Sequence, residues 1–486
     1  MRCWPSWSPS ASASPPASCP PATPPASTRS RRCAANEAER RPSPLWERRP
    51  RRDIGGCTPR VLPAGRFRGV DAAPTAGIAV TAIQPLDPAR ERLLLLTLAG
   101  IQFAHILDFM VMMPLGPILI RELGIGTHEF GLLVSAYTFS AAISGVLAAT
   151  FVDRFERKRL LLGMFALFAL ATLACGLAPG FWLLVAARCA AGAFGGVLGS
   201  MVQTMVGDLI PFERRGRASG TIMSAFALST VAGVPLSLFL ANHYGWRFPF
   251  VFIAALAAGL LLLGWKMLPA LRGHLPSAIL GETERAHPLS AMLAVLRDAN
   301  HLRALAFMAL IMFSGFTVIP YITIYSVANV GIRQEDLYLI YLAGGTATFF
   351  TSRLIGRLAD RHGKVRIYRL VALCSMAPLL IQTHLVPIPL WLMIVVSTIF
   401  FIFVPGRMVP AMAIVTSAVR PELRGTFLSM SGATQQLAAG VASYIGGLII
   451  AQDAAGHILR YDWVGYLAVA ATLLAMALSG RIRMHS

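Results

Sequence analysis

Charge is what this sequence has least of. Asp, Glu, Lys and Arg make up 14% of its 486 residues, while hydrophobic residues make up 55% and the mean hydropathy is +0.62. That balance excludes an ordinary soluble domain and places the chain in lipid. Acids are scarcer than bases, 23 against 43, for a formal charge of +20. The excess does not indicate nucleic acid, because Lys and Arg fall in short loops between apolar stretches and in the first ninety residues, the distribution of a topology signal rather than of a binding patch. The seven cysteines lack any CxxC spacing, four of them (Cys3, Cys19, Cys33, Cys57) lying in the N-terminal tail and three (Cys175, Cys189, Cys374) within apolar segments. Neither a disulfide framework nor a metal site is expected. The phosphate-cradling pattern G-x-x-x-x-G-K-S/T is absent, which excludes nucleotide hydrolysis by that route. No nucleophile, ligand cluster or close carboxylate pair shares a membrane depth, so no enzyme activity and no cofactor is expected.

Residues 1 to 88 are rich in Pro, Ser, Ala and Arg (SPSASASPPAS, PPATPPAS, RRPRRD). Such a mixture buries too little apolar surface to offset its ordering entropy, so this extension is expected to be disordered. It lacks the apolar core of a secretory signal. No Met occurs between Met1 and Met110, and Val80 could serve as an alternative start codon, so residues 1 to 79 are expected to be absent from the native protein.

From Leu93 onward the apolar runs are long enough, at ~20 residues each, to cross ~30 Å of hydrocarbon. Twelve are predicted, at about 93–120, 130–151, 160–178, 181–206, 218–241, 248–268, 304–328, 336–356, 368–387, 390–415, 425–450 and 463–480. The runs are continuous rather than alternating, which predicts helices and not a barrel. One set of loops, with the C-terminus, carries about twenty basic residues, whereas the alternate set has Arg121, Arg247, Arg333 and Arg460. Both termini are therefore expected to be cytoplasmic. The domain expectation is a six-helix bundle at 89–268, a basic cytoplasmic loop at 269–303 and a second six-helix bundle at 304–486.

A repeat supports the division. DRFERKR (153–159) follows the second span and GRLADRHGKVR (356–366) the eighth, while IPFERRGRASG (210–220) is echoed by RPELRGTFLS (420–429). Parallel halves related by an axis along the membrane normal are expected. On these motifs, together with PLGP (114–117), LLVAARCAAGAFGG (183–196) and VAGVPLS (231–237), residues 93–480 resemble the major facilitator superfamily, and within it the 12-helix drug:proton antiporters and sugar-efflux group. The resemblance implies an all-α membrane protein of two pseudo-symmetric bundles that moves a small molecule across the bilayer. Energy would come from an ion gradient. It also implies that Arg188, matching the family's fourth-helix arginine, is tied to proton transfer, and that Arg157 pairs with Asp208.

The residues themselves say where to look. In AHILDFMVMMPLGPIL one carboxylate, Asp108, interrupts an apolar run, at a cost of roughly 2.5 to 3.5 kcal/mol. At 100° per residue Gln102, His105, Asp108 and Met112 share a face, the pattern of a helix beside a wet cavity. Asp108 fits a proton-coupling site or a structural ion pair that locks helices together. His105, one turn away, fits either a hydrogen-bonding neighbour of the acid or packing. Arg188 lies on the face with Gly192, Gly195 and Gly199, where small residues let another helix approach. It lies ~10 Å below the sparsely charged end and Asp108 ~18 Å, within reach of each other.

Arg407, between Pro405 and Pro410, is the other buried base. It fits an anionic or strongly hydrogen-bonding substrate, or a carbonyl released by the prolines. Spans 1, 4, 7 and 10 are expected to line the cavity, with 3, 6, 9 and 12 peripheral. Phe313, Thr317, Tyr321, Tyr325, Gln435 and Gln436 are further candidate contacts. The loop signatures are read as a conformational latch: Asp153, Arg154, Arg157 and Asp208 in the first half, Gly356, Asp360, Arg361, Gly363 and Lys364 in the second. Asp153 and Asp360 are expected to accept backbone N–H groups at helix starts. With Ser417 standing where the first half has Asp208, the second latch must differ. The expected function is proton-coupled export by a monomer in the inner membrane, with the lipid bilayer, protons and a small solute as its partners. Uptake by symport and a non-transporting receptor are the alternatives.

Overall fold

The computed structural model describes residues 88–152, 155–210, 212–269, 288–419 and 423–484. The expectation of disorder for the N-terminal extension, and the roles expected of Asp153 and Arg154, lie outside the described residues.

The first bundle starts with α1 (Pro88–Val111), which a turn at Met112–Leu115 separates from α2 (Gly116–Leu123). Pro114 lies in that break and Pro117 just after it, each lacking a backbone donor for a helical ladder. There follow α3 (Thr127–Phe151), α4 (Arg157–Leu177), α5 (Phe181–Leu209), α6 (Phe212–Leu228), α7 (Val234–Tyr244) and α8 (Phe248–Met267). A π-turn at Ser229–Gly233 joins α6 to α7 into a single fifth span.

The second bundle opens with a short helix absent from the sequence expectation, α9 (Pro288–Arg297), and then α10 (Ala299–Phe316), capped by Asp298 accepting from the Asn300 N–H at 2.7 Å. A 3₁₀ turn at Ile319–Tyr321 leads to α11 (Ile322–Ala328), completing the seventh span around Pro320. The rest are α12 (Leu337–His362), α13 (Lys364–Thr383), α14 (Leu390–Gly406), α15 (Met408–Ser417), α16 (Arg424–Ile449) and α17 (Tyr461–Ser479), with a two-residue hairpin, β1 (Ala451–Gln452) and β2 (Ile458–Leu459), between the last two. Among the described residues, ten helical spans are long and apolar enough to cross a membrane. Helices α12 and α16, each 26 residues long, stand between them in the order of the two bundles.

The bundles touch along α3 and α16, and at one end they share a core. At the end with few basic residues a single core takes in Val111, Leu119 and Phe130 from the first bundle and Val318, Ile324 and Leu337 from the second. At the opposite, arginine-rich end the cores separate, one built on Leu98, Phe165 and Val202, the other on Phe307, Ile414 and Phe427. The hydrogen bonds between bundles among the described residues lie at the sparse end: Thr323 Oγ1 donates to Met113 O at 3.1 Å, Thr127 Oγ1 to Ile450 O at 3.0 Å, and Asn242 and Gln334 bond at 3.5 Å.

Glycine permits the closest approaches. At Gly192 an added Cβ would strike the backbone of Tyr137, and at Gly196 it would meet Ala141 O at 2.5 Å, so α5 lies against α3 with almost no side-chain layer between them. Gly192→Val is therefore expected to destabilise the first bundle by about 1–3 kcal/mol, because backbone cannot rotate away as a side chain would. Thermal unfolding in detergent checks it; an unchanged midpoint would mean that the helices move apart freely.

Candidate functional site

Packing of α5 against α1 and α3 brings the two charges of the first bundle together. Arg188 Nη1 donates to Asp108 Oδ2 at 2.9 Å and lies 3.3 Å from Asp108 O, with Asp108 fully buried and Arg188 1% exposed. The guanidinium carbon sits 4.4 Å from the centroid of the Tyr137 ring, a cation–π contact. The glycine stripe makes room for this, because a Cβ at Gly195 would meet the Tyr137 hydroxyl and His105. Among the described residues, the Tyr137 hydroxyl and Gln102 Oε1 beside the pair are buried without a hydrogen-bond partner. Such a set is unusual in a closed interior, where buried polar atoms are nearly always paired. The carboxylate has one oxygen committed to Arg188, and the Thr172 hydroxyl is its other polar neighbour.

Contrary to the expectation of a helix face open to a wet chamber, Asp108 is sealed inside the first bundle. Helix α4, expected to be peripheral, supplies Thr172 and Cys175 to its surroundings. A route from the pair to the other bundle runs through aromatic rings. Phe109 lies 5.4 Å from Tyr137 and 5.7 Å from Phe316 of α10, centroid to centroid.

Five residues expected in a substrate cavity sit elsewhere. Arg407, 1% exposed, donates to Thr472 Oγ1 at 2.8 Å and Ser314 Oγ at 3.0 Å and lies 3.4 Å from Ile311 O. Its acceptors all belong to the second bundle. They include Thr472 on the last span, expected to be peripheral, because the α14–α15 break at Arg407 turns its side chain inward. Met112, fully buried, belongs to the closed end of the core, and Thr317, also fully buried, donates to its own helix at Phe313 O, 3.1 Å. Tyr321 donates to Ser443 O at 2.5 Å from the floor of a notch formed by Gly131, Gly446 and Gly447, so it is part of the closure. Tyr325 packs on Tyr461 and donates to Leu385 O at 2.8 Å. The 3₁₀ turn at Pro320 rotates both tyrosines away from the face that an unbroken helix would give them. Gln102, Phe313, Gln435 and Gln436 are half-buried, and Gln435 Nε2 donates to Ser431 Oγ at 3.3 Å.

Among the residues read as a latch, one pair is repeated in the two halves. Arg157 Nε donates to Asp208 Oδ2 at 3.0 Å, and in the second half Lys364 Nζ donates to Ser417 Oγ at 2.7 Å, the same two positions with a hydroxyl in place of the carboxylate. Gly363, with φ +93°, makes the turn between α12 and α13. Gly356 approaches Val409 of α15, leaving 3.6 Å for a Cβ. Asp360 is exposed and makes no hydrogen bond among the described residues, because it lies within the last turn of α12, where no free N–H groups point at it; the expectation that it caps a helix start does not hold. Arg361 is exposed beside it. One cation escaped the sequence reading altogether: Arg353, inside the eighth span, exposed and stacked on Phe349 at 4.1 Å. The signal was present, since any ionisable residue within a span asks for a partner.

Comparison with known proteins agrees with this architecture. A probable sugar efflux transporter of Helicobacter pylori strain P12 is 24% identical over 349 residues, covering 71% of this chain and 84% of that protein. An uncharacterized MFS-type transporter of Bacillus subtilis is 23% identical over 383 residues, covering 78% and 93%. Among solved structures, a D-xylose-proton symporter superposes with a TM-score of 0.61 at 17% identity, covering 79% of this chain and 96% of that one. A bacterial homologue of the human lysosomal transporter Spinster, in an inward-facing and occupied conformation, gives 0.60 at 16%, covering 82% and 95%. At these identities the superpositions speak for the fold alone. The Major Facilitator Superfamily profile matches residues 98–406, and the chain, a multi-pass membrane transporter, belongs to that family.

Proposed function

We propose that the protein exports a small organic compound, drug-like or sugar-like, in exchange for protons, as a monomer in the inner membrane with both termini cytoplasmic. The observation that carries the reading is the Asp108–Arg188 pair, an acid and its counter-charge both fully buried inside the first bundle. A proton on Asp108 cancels one charge of the pair and weakens the hold on Arg188, whose guanidinium then depends on the Tyr137 face and on nearby neutral groups. Tyr137 touches Phe109 and Phe109 touches Phe316, so a shift at the pair is felt at the contact between bundles. The basic loops support the orientation, since Lys and Arg favour the cytoplasmic side. In that orientation the shared core lies towards the outside, and the separation of the cores on the other side supports loading of solute from there. The sugar-efflux relatives support the direction and the solute class.

The experiment is proton release from acid-loaded inside-out vesicles. Growth of an overexpressing strain against varied toxic compounds and sugars first selects the solute. Its addition is expected to release protons from vesicles holding the parent protein, and Asp108→Asn is expected to bring that release to background while solute binding persists. Coupled release unchanged in Asp108→Asn would remove the acid from the mechanism, and binding without any flux in the parent would make the protein a receptor instead.

A further inference from the structure

Helix α12 carries Arg353, Arg357 and Arg361 at i, i+4 and i+8, one stripe along its arginine-rich end, all three exposed and none with an ion pair among the described residues. The opposite face is occupied, because Ile355 and Ala359 pack with Ile367 and Val371 of α13. The stripe shares its exposed face with Leu342, Phe350 and Leu354, which are 41%, 63% and 53% exposed, the mark of a surface that meets acyl chains. Arg353 lies nine residues before the end of the helix at His362, ~13 Å along its axis, next to the exposed apolar side chains of Phe350 and Leu354.

An arginine at such depth ordinarily reaches outwards to the headgroups. Arg353 cannot do so comfortably, because side chains on a helix lean towards its N-terminus, which for α12 is the far side of the membrane. Its guanidinium does lean that way, lying over Phe349 one turn back. The result is a desolvated cation held on an aromatic face with two further guanidiniums stepping from it to the surface. A charge in this position calls for an anion that can enter hydrocarbon, and the chemistry that combines both is a phosphate carrying acyl chains.

We propose that the Arg353–Arg357–Arg361 stripe is a binding site for an acidic phospholipid of the leaflet at the arginine-rich end, its phosphate drawn down between Arg353 and Arg357 and its chains lying on Phe350 and Leu354. Such a lipid compensates Arg353 and sits beside the seam where α12 meets the fifth span, at the contact of Gly345 with Thr230.

The test uses the full chain, purified and titrated with phosphatidylglycerol or phosphatidylcholine, bound lipid being counted by native mass spectrometry. Preference for phosphatidylglycerol is expected to fall about fivefold in Arg353→Gln and about a hundredfold in the triple variant Arg353→Gln, Arg357→Gln, Arg361→Gln, from ~1 kcal/mol per basic residue. Arg481→Gln, which removes an exposed charge from the same end, is expected to leave the preference within a factor of two, and thermal unfolding of each variant keeps folding defects apart from lipid loss. Unchanged preference in Arg353→Gln, or an equal fall in Arg481→Gln, would reduce the stripe to diffuse surface charge. Displacement of the lipid by millimolar inorganic phosphate would overturn the membrane occupant in favour of a free anion.

Discussion

Arg188→Leu is expected to be the most damaging single substitution in the first bundle, lowering stability by about 3–5 kcal/mol. The reason is not the lost attraction but what stays behind, a carboxylate at Asp108 with no exposure and no counter-charge. Breaking a buried pair from one side costs more than removing both partners. The double variant Asp108→Asn with Arg188→Leu should therefore recover most of the loss while failing to couple protons. Unfolding midpoints in detergent, with proton-flux assays on the variants that fold, read both outcomes. If the double variant is as unstable as Arg188→Leu alone, the cost lies in the cation–π contact with Tyr137 and not in the orphaned acid.

The pairing itself was within reach of the sequence, because depth along a helix follows from counting residues and an arginine side chain spans the difference. What counting could not supply was the setting. Whether Asp108 looks into water or into its own bundle depends on how far α3 and α5 close around it, and that is set by the contact of Gly192 with the Tyr137 backbone, a relation between residues fifty-five positions apart. Arg407 was misplaced for a related reason: periodicity gives the face of a helix but not the neighbour that covers it, and the break between α14 and α15 changes the face as well. The repeat read between 153–159 and 356–366 carried further than expected, since Lys364 and Ser417 occupy the places of Arg157 and Asp208 and bond to each other. Arg353 was missed because the loop signature beginning three residues later drew the whole basic segment into the reading of a cytoplasmic loop.

Tyr321→Ala should release the closed end. The ring fills the notch between Gly131 of the first bundle and Gly446 and Gly447 of the second, where a Cβ on any of the three would collide with it or with neighbouring backbone. Removing a buried aromatic of this size costs about 3–5 kcal/mol where the cavity cannot collapse, and two glycine-bearing helices already in backbone contact have little room to collapse further. The part of that cost that comes from the contact with Gly131, the first bundle's wall of the notch, falls on the closed state, since parting the bundles removes that wall in any case. That part, confined to one of two states, changes their ratio by about one to two orders of magnitude. Met113→Cys in a background free of the native cysteines reports this, because Met113 is 4% exposed behind the closure and its carbonyl accepts from Thr323 across the bundles. Labelling by an impermeant maleimide from the sparse side should accelerate by one to two orders of magnitude in Tyr321→Ala. Tyr321→Phe, which keeps the ring and loses only the hydroxyl bond to Ser443 O within the second bundle, a bond both states keep, should leave labelling within about twofold of the parent. Equal acceleration in the two variants would assign the closure to the hydroxyl, and no acceleration in either would show that the shared core around Val111, Val318 and Ile324 holds the bundles together without the tyrosine.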